Sequence, residues 1–458
     1  RFSNEAFFEP LKNVISNGKL RIGWGQTGSR MPSGLGVGYR PANIANTAIQ
    51  WESQEQWNIG LDLGLLQDRI NLTIDWYKKT SNDMLMPLQL PSYMGTQGNG
   101  SSALAAPKGN YGSIENSGVE VTLNTHPIVG QFEWDSELQV SVNKNKLKSL
   151  SGTTSAAIIG YGQWSDVVSL SEVGSSLYNF YGYVTDGVYK DFADIQNSPK
   201  TSAYPFVKDG DGNIVRDAEG NVQLADAGKF NRGNTVWVGD VKYKDLNGDG
   251  IIDENDRTNI GSPMPDFTFG WTNTFRYKNF DLSVFINGSV GNKVMNYMSI
   301  NLTHMNSAWT NQLAKVNGHA VIVPIDADKA AAAGAKSWYY DITNSQVANP
   351  NAVLPRVTLN DPNDNDRISD RYVEDGSYVR LKNITFGYTF PKKMIKNWGL
   401  ENLRLYANIQ NLLTITGYDG YDPEIGASTA DSSGYTYGLD NGRYPSPTVY
   451  SFGLNVTF

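Results

Sequence analysis

Trp57-Asn58-Ile59-Gly60-Leu61-Asp62-Leu63-Gly64-Leu65 is followed, after only Leu66-Gln67-Asp68-Arg69, by Ile70-Asn71-Leu72-Thr73-Ile74-Asp75-Trp76. Large apolar side chains take every second position, and Gly or polar residues fill the gaps. Successive side chains on a strand point to opposite faces, so this pattern predicts two antiparallel strands with one apolar and one polar face. The same period of two recurs at Val119/Val121/Leu123, Leu138/Val140/Val142, Phe267/Phe269/Trp271 and Phe280/Leu282/Val284/Ile286. It returns at Ile384/Phe386/Tyr388/Phe390, Leu403/Leu405/Ala407/Ile409 and Tyr450/Phe452/Leu454/Val456/Phe458.

Two environments satisfy such strands. In a soluble sandwich the apolar face is a core, and strands run about five or six residues. In an outer-membrane barrel it meets lipid, and strands run about ten residues or more. The alternating segments are of the second length, and their polar faces carry Asn, Gln, Thr, Glu and Arg, as a wet lumen allows. Aromatic residues near strand ends (Trp76, Tyr77, Trp134, Tyr277, Tyr388) suit interfacial girdles. Connections alternate between short links, at 67–69 and 277–279, and long stretches covering 81–110, 190–236, 292–375 and 417–446. Short turns on one side and long loops on the other are the outer-membrane arrangement. The expected fold is therefore all-β, a transmembrane antiparallel barrel of about twelve to fourteen strands with residues 1–458 as one sheet domain. Within the loops, Ala330–Ala333 suggests a short helix, and the Asp-Gly and Gly-Asn turns of 209–221 suggest small hairpins.

Composition narrows function. The 458 residues carry a net charge of −8, with no cysteine and three histidines, His126, His304 and His319. Disulfides, thiolate zinc sites and cysteine nucleophiles are excluded. An acidic chain without basic clusters is a poor nucleic-acid ligand, and none is expected. Neither HExxH nor GxSxG occurs, and Gly34-Leu35-Gly36-Val37-Gly38 is not a dinucleotide fingerprint. An enzyme is the least expected class.

Several segments together resemble SusC/RagA-type TonB-dependent outer-membrane transporters, in the C-terminal barrel portion. They are Leu20-Arg21-Ile22-Gly23-Trp24-Gly25-Gln26-Thr27-Gly28, Asn110-Tyr111-Gly112-Ser113-Ile114-Glu115-Asn116-Ser117-Gly118-Val119-Glu120, Asn143-Lys144-Asn145 and residues 239–256. Gly376-Ser377-Tyr378-Val379-Arg380-Leu381-Lys382-Asn383-Ile384 follows, then Asn408-Ile409-Gln410-Asn411-Leu412-Leu413 and Gly420-Tyr421-Asp422-Pro423-Glu424. The resemblance implies a 22-stranded barrel in the Gram-negative outer membrane, around a plug contributed by an N-terminal segment with the first strands. It implies a SusD-like surface lipoprotein as lid, TonB as energy source acting through that segment, and oligosaccharide or peptide cargo. The plug and TonB-box features are not found in these residues, so active transport rests on the resemblance alone. The aromatic Phe458 ending an alternating strand resembles the signal read by barrel-assembly machinery.

One constellation carries ligand chemistry. Asp245, Asn247 and Asp249 stand at positions 1, 3 and 5 of a calcium-type loop, with Gly250 at the sharp turn. Ile251 would offer its carbonyl and Asp253 would bind directly or through water. Asp256 stands where EF-hands place a bidentate Glu, as in dockerin-type loops. Structural Ca²⁺ is expected here, and a metal-free acidic turn is the alternative. The second acidic stretch, Asp361-Pro362-Asn363-Asp364-Asn365-Asp366, lacks the glycine and is expected to be solvated loop. Loop aromatics Trp164, Tyr181, Trp309, Trp338, Tyr339 and Tyr340 offer faces for sugar rings or peptides, although packing within a large loop is their ordinary role. Two rival functions remain at this point: a self-contained passive porin, and a calcium-dependent surface adhesin or glycan-binding β protein.

Overall fold

A computed structural model describes residues 15–29, 46–87, 107–150, 157–163, 166–306, 309–334, 337–426 and 436–458. Ten long strands form one antiparallel sheet whose spatial order follows chain order. They are β1 (Ile15–Ser29), β2 (Glu52–Leu65), β3 (Ile70–Pro87), β4 (Lys108–Ile128) and β5 (Phe132–Leu150), followed by β6 (Phe267–Tyr277), β7 (Phe280–Val290), β8 (Tyr378–Thr389), β9 (Asn402–Thr416) and β10 (Val449–Thr457). Fewer strands join the sheet than the twelve to fourteen expected. Short extended pieces such as Val167–Glu172 and Thr258–Gly261 lie inside long connections and pair into a separate four-stranded sheet.

Antiparallel order places every other connection at the same end. Turns 66–69 and 278–279 are short, whereas 151–266, 291–377 and 417–448 emerge from the opposite end. The first of these turns is unusual. Leu66, Gln67 and Asp68 all take left-handed φ of 53°, 58° and 63°, which is sterically disfavoured for side chains with a Cβ. Arg69 anchors this turn, donating to the His126 and Pro127 carbonyls at 3.0 and 2.7 Å.

Cross-strand register turns the period of two into continuous rows. Leu63, Leu72, Leu123, Leu138, Trp271, Ile286, Leu381 and Leu413 stand opposite one another across eight strands. Toward the short-turn end the rows become aromatic, with Phe132, Tyr277, Phe280 and Tyr388 in one and Trp134, Phe275 and Phe386 among the next. Ile22, Ile415 and Phe452 on this face are 68%, 64% and 86% exposed. An apolar face of that extent is stable only against lipid or another apolar body. No helix among the described residues is long and apolar enough to cross a membrane.

The polar face is cross-braced. Arg21 on β1 binds Asp62 on β2 and, directly across Gly60, Asp75 on β3, both at 2.9 Å. Arg404 on β9 repeats the device, reaching over Gly387 on β8 to Asp281 on β7 at 3.1 Å. Any Cβ at Gly60 or Gly387 would occupy the space through which the guanidinium and carboxylate meet. Glycine in these strands therefore lets one charge pair tie three strands together. A double-mutant cycle between Gly387→Val and Arg404→Ala checks this. Each change should lower stability, and the pair should be non-additive by about 0.5–1 kcal/mol, the usual value of a partly exposed ion pair; fully additive losses would contradict the brace.

Candidate functional site

Buried apolar residues concentrate in the connections rather than in the sheet. One cluster joins Val188, Tyr189, Tyr204, Phe230 and Trp237 from 151–266 with Ile342 and Val347 from 291–377. A second joins Phe180 with Met295, Tyr297 and Tyr372, and adds Leu439 from 417–448. Three long loops thus fold into one body with its own core. Its centre is an ion pair that is almost completely buried: Arg356 Nε donates to Asp240 at 2.7 Å, with the two side chains 1% and 0% exposed. Asp240 also accepts from the Trp237 amide at 2.7 Å and from Asn365 Nδ2 at 3.2 Å. Burial pushes the Asp240 carboxyl up, and Arg356 is the principal counterweight. Gly239, at φ +86°, sits 3.1 Å from Arg356 Cβ by its own virtual Cβ position, while its carbonyl accepts from the Arg356 amide at 2.8 Å. A residue with a side chain would be strained at this φ.

The second acidic stretch corrects the expectation of a solvated loop. Asn363 and Asn365 are 0% and 2% exposed. Asn365 Oδ1 accepts from the Val241 amide at 2.7 Å and Asn363 Nδ2 donates to the Val241 carbonyl at 3.0 Å. Two side-chain amides thereby satisfy the outer edge of the short strand Val241–Tyr243, whose other edge pairs with Thr185–Val188. Desolvation drives the neighbouring Asp361 carboxyl up to about 6.

The calcium-type loop is an ordered ladder of carboxylate-to-backbone bonds. Asp245 accepts from the Gly248 and Gly250 amides at 2.6 and 2.8 Å, and Asp249 from Ile251 at 2.8 Å. Asn247 Oδ1 accepts from the Asp249 amide at 2.9 Å. Gly248 and Gly250 supply the required positive φ of 79° and 84°. Asp253 caps the turn Glu254–Asp256, accepting from Asn255. Asp256 is 0% exposed and accepts from Leu246 and Asp253 amides, each at 2.8 Å, so it staples the two ends of the loop. Hard oxygens at 245, 247, 249 and 251 match calcium's preference. Among the described residues, however, no three carboxylate or imidazole side chains converge as a metal cluster. The loop borders a cleft of about 570 Å³ shared with Lys200 and Arg216. Lys200 caps the helix Phe192–Asn197, donating to the Ile195 and Gln196 carbonyls at 3.3 and 2.9 Å, and burial brings its ammonium down to about 8.

The loop aromatics part company. Trp338, Tyr339 and Tyr340 lie together on the turn that follows helix Ala327–Ala333, with ring centroids 5.8 and 4.6 Å apart and Arg232 over Tyr339 at 4.6 Å. Tyr340 is 61% exposed and Trp309 96%. Tyr181 instead supports Arg257, which lies 4.6 Å over its ring and donates to the Val167 carbonyl at 2.6 Å, so it packs. Trp164 lies outside the described residues.

The body is tied to the sheet by a carboxylate clamp. Arg380 on β8, 2% exposed, donates to Asp422 and to Glu424, the latter at 2.8 Å, and Lys382 reaches Glu424 at 3.0 Å. Asp422 in turn accepts from the Ser446 amide at 3.0 Å, pinning the 417–448 connection at both sides.

No family model matches the chain. TonB-dependent receptor P3 of Formosa agariphila is 32% identical over 97% of the chain, which covers 40% of that protein. TonB-dependent receptor SusC of Bacteroides thetaiotaomicron is 26% identical over the whole chain, which covers 39% of it. The fold aligns over its full length with 42% of a chain of the RagAB peptide transporter, at a TM-score of 0.64 and 17% identity. The chain is similar to TonB-dependent receptors of the SusC/RagA type. It spans about two-fifths of the length of the curated relatives it matches, and its strands are those of an outer-membrane β-barrel, with the long connections 151–266, 291–377 and 417–448 together at one end.

Two of the motifs that carry this likeness acquire a physical role. Asn408-Ile409-Gln410-Asn411-Leu412-Leu413 contains a register shift against β8, with Asn411 in the left-handed region at φ 53°, a conformation Asn tolerates better than most residues. Gly420-Tyr421-Asp422-Pro423-Glu424 supplies the acids of the clamp. The Asp240–Arg356 pair was not visible in sequence, because nothing local marks residues 116 positions apart as partners. Arg356→Ala should leave Asp240 charged and uncompensated, at a cost of about 3–5 kcal/mol. Hydrogen exchange would report it as faster exchange of the 237–241 amides, with the sheet amides unchanged.

Proposed function

We propose that the protein containing this chain imports oligomeric nutrients, glycans or peptides, across the outer membrane in a TonB-dependent manner, with a SusD-like lipoprotein as lid. The observation that carries the reading is the pairing of a lipid-facing sheet with a folded loop body that covers its extracellular end. The likeness to TonB-dependent receptors over nearly the whole chain supports it. Among the described residues β1 pairs only with β2 and β10 only with β9. Unpaired backbone at such edges is not viable in hydrocarbon, which favours a larger barrel with further strands over a passive porin of ten. Strands of up to 21 residues in β4 argue against a soluble adhesin. The reading assigns transport, not catalysis, to the loop body.

Cargo would meet the exposed part of the Trp338–Tyr340 cluster, whose rings stack on sugars or peptide side chains alike. Deleting the gene should abolish growth on the cognate oligomer and leave growth on its monomers intact, and removal of TonB should have the same effect. Trp338→Ala with Tyr340→Ala should raise the oligomer concentration needed for half-maximal growth by roughly tenfold, as expected for the loss of about 1–2 kcal/mol of stacking. Growth that tolerates loss of TonB would support passive diffusion instead.

Calcium belongs to the same proposal as a structural ion. Asp245, Asn247, Asp249 and Asp253 would hold it with the Ile251 carbonyl, after the carboxylates rotate toward that oxygen. Asp256 would remain the staple. Millimolar calcium should raise the melting temperature by a few degrees, and Asp245→Ala with Asp249→Ala should remove the effect. Identical melting with calcium and with chelator would identify an empty turn.

A further inference from the structure

Lysines gather on the outward face just beyond the apolar belt. Trp24, Trp57, Lys78, Ser117 and Lys144 stand opposite one another in a single cross-strand row. The row beneath it is wholly apolar: Ile22, Ile59, Trp76, Val119 and Val142. The Trp24 and Trp57 rings, 57% and 48% exposed with centroids 6.4 Å apart, mark the level at which indoles sit in a membrane interface. Above it, β5 continues as Lys144-Asn145-Lys146-Leu147-Lys148. Leu147 is 0% exposed and turns into the loop body. The alternation therefore sends all three lysines outward. Glu115 is shared between Lys78 at 3.1 Å and Lys148 at 3.5 Å. Lys144 and Lys146 are exposed and have no ion pair among the described residues. Glu55 stands in the next row with Thr80, Glu115 and Lys146, and makes no ion pair with the lysines among the described residues. In a chain of net charge −8, this is a cationic patch at headgroup height.

We propose that Lys78, Lys144, Lys146 and Lys148 form a binding site for the phosphate groups of the outer-leaflet glycolipid, lipid A. The outer leaflet follows from the extracellular position of the long loops. Phosphate fits the site because Lys78 and Lys148 share the Glu115 carboxylate while Lys144 and Lys146 have no ion pair among the described residues, and an anion between the ammonium groups relieves their repulsion. The acyl chains of the same lipid would lie along the Ile22–Val142 row below. This assignment rests on the outward orientation of the loops, and the test separates the two.

The full natural protein, delipidated in detergent, is titrated with phosphorylated lipid A, dephosphorylated lipid A and phosphatidylglycerol, with bound lipid read by native mass spectrometry. Phosphorylated lipid A should bind tightest. Lys144→Ser/Lys146→Ser/Lys148→Ser should weaken it roughly a hundredfold, from ~1 kcal/mol for each basic residue near a charged surface. Lys79→Ser, on the inward face of β3, should leave it unchanged. Equal binding of dephosphorylated lipid A, equal binding of phosphatidylglycerol, or a triple variant that binds like the unmodified protein would each overturn the site. Should the triple variant not fold, the lipid comparison on the unmodified protein and Lys146→Ser alone, expected to lose about fivefold, still decide. Orientation is read independently by Lys148→Cys, compared with the unmodified protein as the background for labelling. Labelling by an impermeant maleimide on intact cells is expected, and its absence would reject the outward placement itself.

Discussion

In hydrocarbon there is no water to accept a backbone hydrogen bond, so a crossing segment must satisfy every amide within protein. That constraint governs this chain. It demands long strands paired along their whole length, and pairing fixes register. Register then decides which side chains meet lipid, since a slip of one residue would exchange the two faces. The eight-strand row from Leu63 to Leu413 is the result. Two of the irregularities in this pairing serve the polar face. At the β7–β8 and β8–β9 pairings the register shifts beside Lys382 and Asn383. Arg380, Lys382 and Asn383 consequently share the inner face, with Val379 and Leu381 outward on one side of the shift and Ile384 and Phe386 outward on the other.

The loop body obeys different physics. It is folded around cores of its own, and its polar interior is held by charge and amide pairing rather than by sheet. The Arg356–Asp240 pair is costly to desolvate, and its stability depends on the completeness of the surrounding bonds from Trp237 and Asn365. Such an arrangement tolerates little displacement. Arg380, bound to both Asp422 and Glu424, extends the same rigidity down into β8. At β5, the Leu147 amide and carbonyl bond to Ser175 and Gly174. The loop body is therefore seated on at least two strands of the sheet.

Sequence made the sheet legible because period-two alternation is a local signal repeated many times. Trp57 to Trp76 contains two strands and their turn within twenty residues, and no distant information is needed to read it. The glycine-bearing turn of residues 245–256 was legible for the same reason, as spacing within twelve residues, and so was the helix at Ala330. What escaped depends on distant pairing. The acids of 361–366 look solvated by composition, and only contact with Val241 shows that their neighbours are buried. The strand count erred for a related reason: alternation identifies an extended segment without saying which sheet it joins. The loop aromatics divided along the same line. Tyr181 packs under an arginine from residue 257, which spacing cannot reveal, whereas Trp338, Tyr339 and Tyr340 are adjacent and cluster by local geometry.

The same alternation also explains why charge is distributed as it is. On the polar face, opposite charges are paired across strands, as in Arg21 with Asp62 and Asp75, so the inner wall is nearly neutralised by its own residues. Acids in excess are carried by the loops, many of them spent on backbone amides as turn caps. On the outward face, Lys78 and Lys148 share Glu115, and Lys144 and Lys146 have no ion pair among the described residues. They cannot reach the inner acids, because the sheet lies between, and below the indole level they would face hydrocarbon at a cost of about 2–4 kcal/mol each. Their placement immediately above that level is thus the one outward position where a cation is compatible with the bilayer, and where the charges of its headgroups are within reach.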